Sequence, residues 1–121
     1  MVLVNERTRK VLASRVEMAE TRAERRRGLL GRTSLPEGGA LMLIPCFSVH
    51  TAFMRFRSDV VFLNGDGCVV RTASRLAPWR IAMDWRARAV IELPPGRLDR
   101  CPVEIGDHVY LAPAREQRWA S

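Results

Sequence analysis

Cys46, His50 and Met54, spaced four residues apart, are the side chains whose types could do chemistry together. A thiol, an imidazole and a thioether suit a soft metal such as Cu(I). A thiol beside an imidazole is also the starting material of a nucleophile pair. Spacing counts against both. On one extended strand the three share a face with Ser48 and Ala52, yet four residues span roughly 13 Å at ~3.3 Å each. Metal ligands lie within about 2–2.5 Å of one ion, and a base must come within about 3 Å of its thiol. A straight strand cannot gather the three, so other strands would have to supply the partners. The expectation is therefore no metal and no cofactor, with Cys46 and Met54 as buried side chains. The chain has no G-x-S-x-G, no H-E-x-x-H and no phosphate-binding loop.

Asp59 opens the apolar run Val60-Val61-Phe62-Leu63. It reads either as an acid in a pocket or, more commonly, as a turn acceptor for nearby backbone N–H groups. If Arg55 to Ser58 forms a four-residue turn, Met54 faces Asp59 across a hairpin. Trp79 and Trp85 fall in the stretch 74–86, which reads as the longest irregular segment. There they either line a groove for a ligand or partner, or cap an open end of the fold. Arg22, Arg25, Arg26 and Arg27 are the candidate anion contacts, weighed against the commoner alternative of a solvated face.

Net charge is +7, and of the 20 basic residues only Lys10 is a lysine. The arginines are spread from Arg7 to Arg118 with one tight cluster, Arg25-Arg26-Arg27. No aromatic-basic interleaving offers a platform for stacking bases, which argues against nucleic acid as the partner. Three cysteines, an odd count without C-x-x-C, fit reduced thiols better than a disulfide framework. No apolar run approaches the ~20 residues that a membrane span needs, and the opening residues lack a signal-peptide core. A cytoplasmic protein, monomeric or weakly dimeric, is expected.

The elements that must position these residues are short. Val2 to Val4 and Val11 to Met18 read as strands, the second alternating wet and dry. Thr21 and Glu24 form a capping box that starts a helix, with Gly31 suited to its end. Ala40 to Ile44 reads as a core strand and Ser48 to Met54 as another. Asp59 to Leu63 and Cys68 to Thr72 form a hairpin around Asn64-Gly65-Asp66-Gly67. Four successive apolar residues in its first arm require cover on both faces, which places it centrally. Ala87 to Leu93 reads as a strand that carries a charge at Glu92, Leu98 to Cys101 as a helical turn, and His108 to Leu111 as the last strand. The sum is a mainly β fold, a jelly-roll-like sandwich or barrel with one short helix near residues 22–30. A single domain over residues 1–113 and a polar tail over 114–121 are expected.

The order of motifs resembles the domain of unknown function 192 family. The resemblance is carried by TRAERRRGLLGRTSLP at Thr21 to Pro36, the Gly-rich turn and apolar run at Gly38 to Ile44, and Met54 and Asp59. It continues through VVFLNGDGCVV, VIELPPG at Val90 to Gly96 and IGDHV at Ile105 to Val109. It implies a compact β domain with the Arg-rich helix at one edge, and no activity. Two departures stand out. Arg55-Phe56-Arg57-Ser58 replaces a Pro-containing turn, and Asn64 stands where relatives commonly have Asp. If Asp59 and an acid at position 64 acted as a pair, this chain has lost half of it.

Three functions follow as expectations. The first is a non-enzymatic β module binding a small ligand or protein partner between the 46–59 strands and the 74–86 segment. The second is a small metal-binding or thiol-dependent enzyme using Cys46, His50 and Asp59. The third is a binder of nucleic acid or an acidic partner through the Arg22 to Arg27 helix.

Overall fold

The computed structural model describes residues 1–52 and 54–114. The chain order is β1 (Val2–Asn5), β2 (Lys10–Ala13), β3 (Arg15–Ala19), α1 (Arg22–Arg27), β4 (Gly39–Leu43), β5 (Ser48–His50), β6 (Ser58–Leu63), β7 (Val69–Leu76), β8 (Ile81–Met83), β9 (Ala89–Leu93), α2 (Arg97–Arg100) and β10 (Val109–Ala112). The fold is mainly β and sandwich-like, as expected. Its strands form three sheets ordered β10-β1-β2, β3-β4-β9-β6-β7 and β5-β8, none closed into a barrel. The rest of the expected tail, 115–121, lies outside the described residues.

The apolar run of β6 explains the layering. Successive side chains on a strand point to opposite faces. Val61 and Leu63 therefore join Met42, Ile91 and Leu93 in a core shared with Leu3 and Leu12 of the three-stranded sheet. Val60 and Phe62 point the other way and join Leu41, Leu43 and Val90 in a second core. That second core is roofed by Leu29 and Leu35 from the 28–38 connection and by Val49 and Ala82 of the small sheet. The central sheet is thus covered on both sides, which gives three layers rather than two.

Several boundaries differ from the sequence reading. The expected strand Val11 to Met18 is two strands in different sheets. It breaks at Ser14, where the N–H groups of Ser14 and Arg15 both donate to the Gly38 carbonyl, at 2.8 and 3.1 Å. The helix begins with the expected capping box, but it stops at Gly28, whose φ of 47° ends the helical turn three residues before Gly31. A second short helix, α2, covers the expected turn near Leu98. The stretch 74–86 is largely ordered, with β7 running to Leu76 and β8 inside it. The expected strand Ser48 to Met54 is three residues long, and the chain then turns, with the Met54 N–H donating to the Thr51 carbonyl at 3.1 Å.

Two buried carboxyl groups tie the layers. Asp107 accepts from the Asn5 amide (2.9 Å), the Glu104 N–H (2.8 Å) and the Arg7 guanidinium (2.7 Å), fastening the start of β10 to the end of β1. The Arg7 bond holds its carboxyl well below the usual range. Asp59, fully buried, accepts from three backbone N–H groups. Its Oδ1 takes Arg75 at 2.8 Å and Gly96 at 3.2 Å, and its Oδ2 takes Leu98 at 2.8 Å. Arg75 has a positive φ of 48°, so β7 is irregular there and its donor needs a side-chain acceptor. Asp59 therefore serves as the acceptor for turn and helix N–H groups that its place in the sequence suggested.

Asp59→Ala leaves one buried and two part-buried donors without their acceptor. Each unmet donor costs about 1–3 kcal/mol, part of which local relaxation recovers. We expect a net loss of roughly 3 kcal/mol in urea unfolding. A loss within the ordinary scatter of surface substitutions, about 0.5 kcal/mol, would show that the carboxyl does not hold this junction.

Candidate functional site

Glu92 lies on β9 between its cross-strand partners Leu41 on β4 and Val60 on β6. Alternation sends it to the face of Val90, into the second core. It is only 3 % exposed, and its Oε2 has no hydrogen-bond partner in the described structure. Burial pushes the carboxyl up to about 7, with the Arg32 charge pulling weakly the other way. Near neutral pH the group stands between a donor and an anion. A polar group so placed is costly to the fold, and such groups concentrate at functional sites.

Above Glu92 opens a cleft of about 60 Å³, room for a few waters or one small head group. Arg25, Arg26 and Arg27 line it from the last turn of α1, His50 from β5, and Met54 from the turn that follows. Cations in a last helical turn also complement the helix dipole, so the arginines have a structural role beside any contact they offer. Arg25 donates to the Glu20 carbonyl. A second, more open cleft of about 330 Å³ lies against the same end of α1, lined by Glu17, Glu24, Arg27 and Arg32. It holds an Arg32–Glu17 ion pair of 2.7 Å.

The chain turn after Thr51 removes the distance objection raised by a straight strand, because His50 and Met54 line one cleft. Cys46 packs against the same apolar core, and its thiol donates to the Ser48 carbonyl at 3.1 Å. Burial pushes this thiol up, and the Glu92 charge adds to that while the Ser48 backbone and Arg25 oppose it. That disfavours the thiolate a nucleophile needs. Asp59 is occupied at the junction with α2, and Arg22 is not among the residues lining the cleft. Trp79 stands apart from the cleft as well. It has a φ of 63° and is 60 % exposed, with its N–H bonded to the Thr51 carbonyl at 2.9 Å.

Asp59 and Asn64 sit at opposite ends of β6, roughly 16 Å apart at ~3.3 Å per residue. The Asn64 Oδ1 accepts from the N–H groups of Asp66 and Cys68, both at 3.0 Å, and closes the hairpin. The two positions do not form one acidic site. Among the described residues no three His, Cys, Asp or Glu side chains are grouped to hold an ion.

The sequence reading passed over Glu92 as a charge within a strand. Its signal was available: one acid among Ala89, Val90, Ile91 and Leu93, in a strand that reads as buried.

The raised carboxyl fixes a pH dependence. Unfolded, Glu92 ionises near its ordinary value of about 4.3; folded, it ionises near 7. Between those values the folded chain keeps a proton that the unfolded chain has released. This contribution is therefore full below the unfolded value, falls as pH rises to 7, and is flat beyond. The fall is about 4 kcal/mol. Glu92→Gln should remove it, so the stability difference between variant and wild type should grow in the variant's favour from pH 4.5 to 7. Urea unfolding across that range checks this, and a difference independent of pH would refute it.

Comparison with known proteins follows the fold closely. A UPF0127 protein of Thermococcus sibiricus is 33% identical over 114 residues, covering 89% of this chain and 73% of that protein. A UPF0127 protein of Pyrococcus abyssi is 34% identical over 115 residues, covering 89% of this chain and 95% of that one. The crystal structure of a protein of unknown function from Novosphingobium aromaticivorans matches with a TM-score of 0.78 at 23% identity, covering 91% of this chain and 82% of that one. It supports the fold alone. The profile of the family described as "Uncharacterized ACR" matches residues 3–111. The chain belongs to that family, DUF192.

Proposed function

We propose that this chain is a non-enzymatic binding module that takes a small carboxylate-bearing ligand in the cleft over Glu92. One observation carries the reading: Glu92, whose Oε2 is buried and unpartnered, lines the same cleft as Arg25, Arg26 and Arg27. A protonated Glu92 donates to an anionic oxygen, while the guanidinium groups meet its charge from above. The ligand supplies the partner that the protein withholds. The cleft admits one head group, so the remainder of a larger ligand would lie outside it. The thiol-enzyme alternative is weakened by the raised Cys46, and binding through the Arg22 to Arg27 helix alone leaves Glu92 unexplained.

Acetate is a suitable probe because it is anionic throughout the range of interest. Titration followed by amide chemical shifts should give millimolar binding, with the largest changes at Gly28, Leu29 and His50. Affinity should fall as pH rises through 7, as Glu92 loses its proton and repels the anion. Glu92→Gln keeps a donor and should bind acetate with a flatter pH profile, whereas Glu92→Ala should not bind. Shifts scattered over surface arginines, or binding unaffected by Glu92→Ala, would sink this reading.

A further inference from the structure

The small sheet has two unlike faces. Val49 and Ala82 point inward onto the second core. Ser48, His50, Ile81 and Met83 point outward, with Ser48 opposite Met83 and His50 opposite Ile81. Phe47 and Trp79 sit at the ends of this ribbon, and Trp85 follows two residues after Met83. The apolar members stand clear of the surface: Ile81 is 76 % exposed, Trp85 77 %, Trp79 60 %, Phe47 49 % and Met83 48 %. Five large apolar side chains gathered along 47–50 and 79–85 form the kind of patch that isolated globular domains seldom leave bare.

The surroundings are basic. Arg80 lies between Trp79 and Ile81, and Arg88 donates to the Trp85 carbonyl at 3.4 Å. Asp84 is the acid nearby, and Arg86 holds it as an ion pair at 2.7 Å. The Arg86 bonds bring Asp84 down to about 2, with Arg71 also within electrostatic reach. Arg86 and Arg71 act on the one aspartate, while Arg80 and Arg88 bond the carbonyls of Trp79 and Trp85.

We propose that the outward face of the β5–β8 ribbon docks peripherally on an anionic lipid bilayer. Ile81, Met83 and Phe47 enter the acyl boundary, Trp79 and Trp85 sit at head-group level, and the arginines meet lipid phosphates. Tryptophan prefers that interface because its ring is apolar and its N–H polar. Arginine matches phosphate oxygens with a fork of donors. A second copy of the chain fits poorly, since it would press one basic rim against another in a protein of net charge +7. An acidic protein would satisfy the charge, but two exposed tryptophans beside arginines on an apolar ribbon match the bilayer interface. The proposal does not depend on what the cleft over Glu92 binds.

Vesicle co-sedimentation of the full chain tests it, comparing phosphatidylcholine with phosphatidylcholine containing about one third phosphatidylglycerol. A Trp119→Phe background lets emission report Trp79 and Trp85 alone. The expected result is binding to the anionic vesicles with a blue shift, weakened by salt. Arg80→Ala should lower affinity about five-fold, and Ile81→Asp or Trp85→Ala at least about ten-fold. These side chains are exposed, so the variants should keep the wild-type circular dichroism. Three outcomes overturn the proposal: no binding to anionic vesicles at low salt; vesicle binding that is indifferent to Ile81→Asp and Trp85→Ala; or ribbon-dependent binding to polyglutamate or to a second copy, without vesicle binding.

Discussion

A sheet that is apolar on both faces needs two covers, and this requirement governs the rest of the chain. β4, β6 and β9 each bury every residue, and fully burying one large aliphatic or aromatic side chain is worth about 1.5–3 kcal/mol. One cover is a sheet, β10-β1-β2, with α2 beside it. The other is patchwork. α1 buries none of its own six residues; the roofing comes from Leu29 and Leu35 beyond it and from a ribbon of two three-residue strands. A patched roof leaves a gap, and Glu92 lies under that gap.

Asp59 and Glu92 show what the same burial does under different supply of partners. They sit on paired strands of one sheet, where Asp59 faces Leu93 and Val60 faces Glu92. Asp59 finds three backbone donors because β7 bends at Arg75 and α2 presents its first N–H groups there. Gly96, with φ 86°, supplies one of those donors in a conformation that favours glycine. Satisfied in this way, the group strengthens the junction. Glu92 has regular strands on either side, whose N–H groups are engaged in the ladder, so an oxygen is left over. A natural chain that keeps such a cost departs from its own local consistency, and such departures gather where proteins bind or react.

The parts of this architecture that were legible in the sequence are those with a strong local cause. Val60 to Leu63 announced a central strand because four apolar residues in a row need two covers. Thr21 and Glu24 announced the helix start because the two bonds of the box close within four residues. The ribbon was not legible: a strand of three residues is too short to show a period, and its pairing spans some thirty positions. The short β5 also made Cys46, His50 and Met54 look like points on a ruler, when the chain reverses between the last two. Glu92 was visible as an anomaly, but its meaning depended on which face of β9 it took and on how thin the roof was there. Both are properties of the packed molecule.

One threonine joins the features that the sequence kept apart. Thr51 is fully buried. Its Oγ1 donates to the Ala77 carbonyl at 2.6 Å and accepts from the Arg80 N–H at 2.8 Å. Its backbone N–H donates to the Arg80 carbonyl at 2.8 Å, and its carbonyl accepts from Trp79 and Met54. The residue before it is His50 at the cleft rim, and the residues it grips carry Trp79 and lead into Ile81. The cleft wall and the apolar ribbon are therefore held in one frame by hydrogen bonds to a single buried side chain and its own peptide groups. That is reason to treat the two surfaces as fixed relative to each other: whatever the ribbon rests on sets the direction from which a ligand can reach Glu92.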